Sequence, residues 1–313
     1  EGSIYSASMK QKVISSSTFA TIGSIVKKPE LFKQFRHILI DEAHSVNAKG
    51  GMYEQFLKAV GPHKVMGLTA TPYRLATNSF GSMLRFITRT KPRIFQDVNY
   101  VIQNKTLFDE GFLCPLEYYD MRPYLKFERD KIKLNSNGTE FDDDSMKAYM
   151  DSIHFMPFLI KTLDRLMEIR KSICVFMQFT DQAYEIASHY GGQAVVITAK
   201  TPDKERDESF RAWRAGEIKM LSNVGIAYMG VDYPGLDTVV LGSPSKSLAR
   251  VYQKVGRGMR IHPDKKSAFI VDLCGNTDKD VFGKIEDLHV GRDKRGLWEV
   301  TTQGRPLTNC FLQ

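Results

Sequence analysis

The chain has 313 residues, 42% hydrophobic and 26% charged, with net charge +8 and a pI near 9.1, so it is long enough for two domains with cores of their own, and basic enough to permit a nucleic-acid partner without establishing one. No apolar run reaches the length of a membrane span, and the start carries no signal-peptide pattern. Four scattered cysteines (Cys114, Cys174, Cys274, Cys310) form no Cys-x-x-Cys pair, which argues against a zinc site and for reduced thiols in a cytoplasmic setting.

In chain order, Lys12–Ser15 reads as a strand, and Ser15–Ser24 after it is rich in hydroxyls and small residues. Such a strand-to-helix turn can offer hydroxyl and N–H groups to phosphates, or be an ordinary capped helix start. Ile38, Leu39 and Ile40 form a short apolar run, the pattern of a strand buried in a parallel sheet. Asp41 and Glu42 arrive where that strand ends, the position at which open α/β sheets bind ligands. Paired carboxylates there suit a divalent metal and a polarised water, one acid holding Mg²⁺ and its neighbour taking a proton. Lys64–Leu68 is another short strand, closed by Thr69-Ala70-Thr71-Pro72, with Pro72 preventing its continuation. Val98–Phe112 reads as a helix, and Gly111 with Pro115 marks a boundary. The span Leu125–Ser145 has too few apolar residues for a core and reads as a mobile insertion or hairpin around Asn135–Gly138. A helix follows with Leu159, Leu163, Leu166 and Met167 on one face and Pro157 in its first turn.

From Ile173 onward the punctuation is clear. Apolar strands at 173–177, 194–197, 219–222, 238–241 and 268–271 are separated by helices, one capped by Thr180 and ended by Gly191-Gly192, one started by Thr201-Pro202 and stopped by Gly216. Such alternation predicts a parallel sheet. In Gln253-Lys254-Val255-Gly256-Arg257-Gly258-Met259-Arg260, helical spacing puts Gln253, Arg257 and Arg260 on one face. Two guanidiniums together suit the charge of a transferring phosphoryl group, and glycines at 256 and 258 imply a close approach. Beyond Gly275 the chain is polar and loosely patterned, and no function is assigned to it.

Asp41-Glu42-Ala43-His44 resembles motif II, the DEAH box, of superfamily 2 helicases, and the other segments fall in that family's order. Thr69-Ala70-Thr71 resembles motif III, and Gln253-x-x-Gly256-Arg257-x-x-Arg260 motif VI. Gly225–Pro234 looks like motif V with Gly230 and Asp232 at matched positions, although Tyr228-Met229 replaces the Thr-Glu common there. Phe176–Thr180 stands in the place of motif IV, and Ser15–Ser24 in that of motif Ib. The segments Gly111–Pro115 and Gly275-Asn276 look most like the bacterial and phage DNA-repair branch, near RadD-like helicases. The resemblance implies an α/β fold of two RecA-like domains with parallel sheets, and ATP and Mg²⁺ in the cleft between them. It assigns Asp41 to the metal, Glu42 to water activation, and Arg257 and Arg260 to the phosphoryl group. His44, Gly230, Asp232 and Gln253 are assigned to the nucleotide side, Thr69 and Thr71 to coupling. Thr21, Ser24, Gln178, Thr180 and Asn223 are assigned to nucleic acid, DNA before RNA, held by its backbone. The phosphate loop Gly-x-x-x-x-Gly-Lys-Ser/Thr is absent from these residues. The expectation is therefore a first domain incomplete at its N-terminus, in a fragment that is inactive alone. The expected divisions are a partial first domain over 1–112, a second over 113–279, and a tail over 280–313. Two other readings stand beside this one: a non-enzymatic nucleic-acid-binding relative, and a duplex-translocating motor subunit of a restriction or remodelling complex.

Overall fold

The computed structural model describes residues 2–47, 49–78, 81–225 and 233–310. Strand β1 (Ser3–Ser6) carries β2 (Gln11–Lys12) antiparallel on one side and β3 (Thr18–Ala20) parallel on the other. The strand expected at Lys12–Ser15 is therefore displaced. Ser15 N donates to Thr18 Oγ1 and Thr18 Oγ1 to Ser15 O, both at 3.1 Å, so the backbone of Ser15 is satisfied locally instead of by a strand partner. After the short helix α1 (Ile22–Ile25), β4 (His37–Ile40) and β5 (Lys64–Gly67) pair in parallel, with α2 (Met52–Val60) connecting them. Tyr5, Ile25, Phe32, Phe56 and Val60 make a small core here. The burial expected of β4 is not met along its length. Leu39, Met66 and Leu68 are 62%, 52% and 49% exposed, because among the described residues β4 and β5 form a sheet of two strands only.

Strand β5 has already stopped at Gly67, so Pro72 does not end it and instead directly precedes the next strand: β6 (Tyr73–Asn78) and β7 (Gly81–Phe86) form an antiparallel hairpin. The helix expected over Val98–Phe112 shrinks to α3 (Asn104–Asp109). Gln103 exchanges two hydrogen bonds with the backbone of Val290, and Asn104 donates to Ile285 O, so these side chains tie the segment to the far end of the chain.

The second unit holds β8 (Leu116–Asp120), α4 (Arg122–Leu125), α5 (Asp143–Ser152) and α6 (Phe155–Ile169). Beyond α6 come β9 (Ile173–Met177), α7 (Thr180–Tyr190), β10 (Ala194–Thr198) and α8 (Asp203–Arg214). The unit closes with β11 (Met220–Val224), β12 (Thr238–Leu241), α9 (Leu248–Val255) and β13 (Ala268–Asp272). Its six strands are all parallel, in the order β10-β11-β9-β12-β13-β8, which is the α/β architecture the alternation predicts. Thr180 is the first residue of α7 and Phe179 its N-cap, so the capping role expected of Thr180 is not seen. Pro157 is the third residue of α6, where its missing N–H would have had no helical partner.

Two segments are more ordered than their composition suggests. Leu125, Phe127, Ile132 and Phe141, at 7%, 3%, 4% and 7% exposure, join the core beneath α5 and α6. Four apolar side chains suffice because they insert into an existing core instead of building one. The span 125–145 is thus an ordered cover with a hairpin-like bridge between Leu134 and Phe141, not a coreless insertion. The supposed tail folds into the antiparallel sheet β14 (Leu288–Arg292), β15 (Trp298–Thr302) and β16 (Arg305–Pro306). Val300 and Leu307 are buried in it, Trp298 stacks on Phe86, and Asn309 bonds to Leu84 O, Phe86 N and Trp298 O. Among the described residues no helix is long and apolar enough to cross a membrane, and all four cysteines are free.

Candidate functional site

The site begins where β4 stops. Leu68 N donates to Ile40 O and Ala43 N to Leu68 O, each at 2.9 Å, which swings residues 41–44 across the end of β5. The crossing is tight: a Cβ on Gly67 would lie 2.6 Å from Ala43 Cβ and 2.7 Å from the Phe95 ring, so only glycine fits. Glu42 sits in the left-handed region (φ 50, ψ 48), at a cost of about 1–3 kcal/mol for a residue with a Cβ. Its N–H is held by Asp41 Oδ1 at 2.8 Å. The result is two exposed carboxylates at the carboxyl end of β4 and a histidine turned inward.

His44 is the hub. Its Nδ1 lies 2.9 Å from Thr69 Oγ1, 3.1 Å from Thr71 Oγ1 and 3.2 Å from Glu42 Oε2. Its Nε2 lies 3.4 Å from Gln253 Nε2 on α9, so the ring bridges the two units. Burial lowers the His44 pKa, opposed by Glu42 and aided by Arg74, which favours the neutral ring. With its proton on Nδ1, the ring donates to Thr69 and accepts from Gln253. Thr69 Oγ1 also takes the Thr71 N–H at 3.0 Å, so the Thr-Ala-Thr turn is built around the same ring. Arg74, given no role by the sequence, donates to Ser45 O at 3.4 Å and is the cation whose charge helps lower the His44 pKa.

Gln253 lies on α9, whose N-cap Ser247 accepts from Arg250 N. The common helical face expected for Gln253, Arg257 and Arg260 is not seen, because α9 ends at Val255 and both arginines lie in the turns beyond it. There the backbone shifts to bonds of three-residue span, Arg257 N to Lys254 O and Gly258 N to Val255 O. A Cβ on Gly258 would come within 3.2 Å of Ala268 Cβ, so that glycine serves close packing on β13.

The remaining assigned residues are dispersed. Thr21 and Ser24 share a 2.8 Å hydroxyl contact at the start of α1. Gln178 follows β9 and donates to Asp143 Oδ1. Asn223 is buried within β11, 1% exposed. Gly230 and Asp232 lie outside the described residues. Among the described residues no group of three or more His, Cys, Asp or Glu side chains could hold a metal. The donor set at 41–42 nevertheless fits Mg²⁺, which takes one or two carboxylates and completes its shell with water and phosphate oxygens.

Residues 157–262 match the model of the helicase conserved C-terminal domain, and residues 3–74 that of the type III restriction enzyme, res subunit. The chain carries a superfamily 2 helicase core. A 51.5 kDa protein of a Lactococcus phage is 27% identical to this core over 257 residues, 81% of this chain and 51% of its own. IRC3 of Saccharomyces cerevisiae, an ATP-dependent helicase by name, is 24% identical over 247 residues, 76% of this chain and 34% of its own. The chain therefore spans about half of one of these curated relatives and about a third of the other. In fold it is similar to the ATP-dependent type ISP restriction-modification enzyme LlaBIII bound to DNA, with TM-score 0.56 and 18% identity over 81% of this chain and 19% of that one. The six-stranded parallel sheet is that of a RecA-like helicase domain.

Proposed function

We propose that this helicase core belongs to an ATP-driven motor that moves on DNA, with RNA the second candidate, in DNA repair or phage replication. One observation carries the proposal: His44 of the DEAH box, already bonded to Thr69 and Thr71, lies 3.4 Å from Gln253 of motif VI. A change on either side of the cleft is thereby felt on the other. Asp41 would hold Mg²⁺, which when bound neutralises phosphate charge. Glu42 takes the proton of the attacking water, and Arg257 and Arg260 present guanidiniums to the phosphoryl group. Gly230 and Asp232 complete the nucleotide side. Thr21, Ser24, Gln178 and Thr180 line the path of the strand.

The phosphates still need a cradle of backbone N–H groups and a lysine. The exposed side chains of Leu39, Met66 and Leu68 leave an apolar face on which a further layer carrying such a loop would pack. These 313 residues alone are accordingly expected to hydrolyse ATP little, and a protein that adds the loop to hydrolyse it with nucleic-acid stimulation. Vigorous hydrolysis by the 313 residues alone would show that the loop is dispensable.

Binding through phosphates releases counterions, so affinity should fall steeply and log-linearly with salt and tolerate changes of sequence. Titrating a labelled oligonucleotide at several salt concentrations checks this; affinity indifferent to salt counts against the motor. A duplex translocase that does not separate strands is the second reading, favoured by the res-subunit match. Triplex displacement without strand displacement would select it.

A further inference from the structure

The ordered span 125–145 lies outside both family-matched ranges, yet it grips the loop that launches α9. Arg129 Nη1 donates to Cys274 O at 3.2 Å and Asn276 Oδ1 at 3.1 Å, and its Nη2 to Ser245 O at 2.6 Å. Glu140 works from the other side: Oε2 accepts from Ser245 Oγ and Oε1 from Lys246 N, both at 2.9 Å. Asn276 closes the network, accepting from Ser245 N at 2.9 Å and donating to Ser243 O at 3.0 Å. Ser245 Oγ in turn accepts from Ser247 N at 3.0 Å, and Ser247 is the N-cap of α9. An unbroken series of polar contacts thus runs from Arg129 and Glu140 through Ser245 and Ser247 to the helix that brings Gln253 to His44.

Charges withdrawn from water cost free energy unless their hydrogen bonds are met, and an apolar pair would hold this cover on the core as well. What two opposed charges add is direction, since Arg129 fixes the carbonyl of Ser245 and Glu140 the N–H of Lys246, two adjacent backbone groups of the loop. We infer that Arg129 and Glu140 are positioning residues for motif VI, fixing the line along which α9 delivers Gln253 and the arginines beyond it to the cleft. The inference rests on the motor reading.

The test uses the protein carrying the phosphate loop and measures nucleic-acid-stimulated ATP turnover beside thermal unfolding. Glu140→Ala is expected to lower kcat by roughly 10- to 100-fold, the scale of a small misplacement of catalytic groups, with KM for ATP little changed. Glu140→Gln keeps the shape and a carbonyl acceptor and is expected to recover most of the loss. Should Glu140→Ala fail to fold, Ser245→Ala removes the side-chain step from Glu140 to Ser247 N while leaving the bond to Lys246 N, and a kcat loss in the same direction is expected. A folded Glu140→Ala or Ser245→Ala with wild-type kcat overturns the inference, as does a loss that Glu140→Gln does not repair. A wild type without stimulated turnover, or one as active as Glu42→Gln, overturns the motor reading and this inference with it. The motor reading stands alone when Glu42→Gln is dead and the Glu140 variants are normal.

Discussion

Glu42→Gln, in the protein carrying the phosphate loop, is expected to lower ATP turnover by about 10²- to 10⁴-fold, the usual contribution of a positioned general base. Glutamine matches glutamate in shape and still offers an oxygen toward His44 Nδ1, 3.2 Å away in the present structure. The left-handed backbone at residue 42 also strains both residues alike, so the turn from Ile40 to His44 should survive. What disappears is the ability to accept a proton from water. ATP binding should persist, because no phosphate contact is assigned to this side chain. Single-turnover hydrolysis and nucleotide binding measured side by side check both halves. A turnover near wild type would move water activation to another group.

How much of this site the sequence carries depends on which neighbours a segment meets. The strands β9 and β12 are continuous apolar runs, buried on both faces, and were readable as such. The run Ile38-Leu39-Ile40 is equally apolar, yet Leu39 is 62% exposed, since a pattern describes a strand and not the strands beside it. Strand β8 escaped notice because Leu116-Glu117-Tyr118-Tyr119-Asp120 is an edge strand and lacks a continuous apolar run. The closing sheet β14-β15-β16 hides for a similar reason, resting on few buried side chains such as Val300 and Leu307. His44 and Gln253 stand 209 residues apart, and spacing alone could not join them; the family resemblance could. Arg129 and Glu140 had no signal at all, because a lone charge in a polar run looks solvated until the loop it grips is folded.

Arg260→Ala should lower kcat by about 10³-fold or more while raising KM for ATP far less, if its guanidinium meets charge that grows during phosphoryl transfer. The support for this is no longer a shared helical face with Arg257. It is the turn that carries both residues beyond α9, which is pinned on several sides. Cys114 N donates to Met259 O at 2.8 Å, and Lys265 Nζ donates to Gly258 O and Leu236 O, each at 3.0 Å. Gly258 packs against β13 in the same turn. A cation hung from so fixed a backbone can be aimed without loss of chain entropy at the moment of reaction. Arg260→Lys keeps the charge but loses the planar fork, and should restore little. Binding of nucleic acid without nucleotide should survive both changes, since the residue is assigned to the cleft. A solvated Arg260 predicts instead that both variants turn over ATP normally. Rates for the two variants beside Glu42→Gln separate these outcomes: a dead Glu42→Gln with two active Arg260 variants would leave Arg257 to serve the phosphoryl group without it.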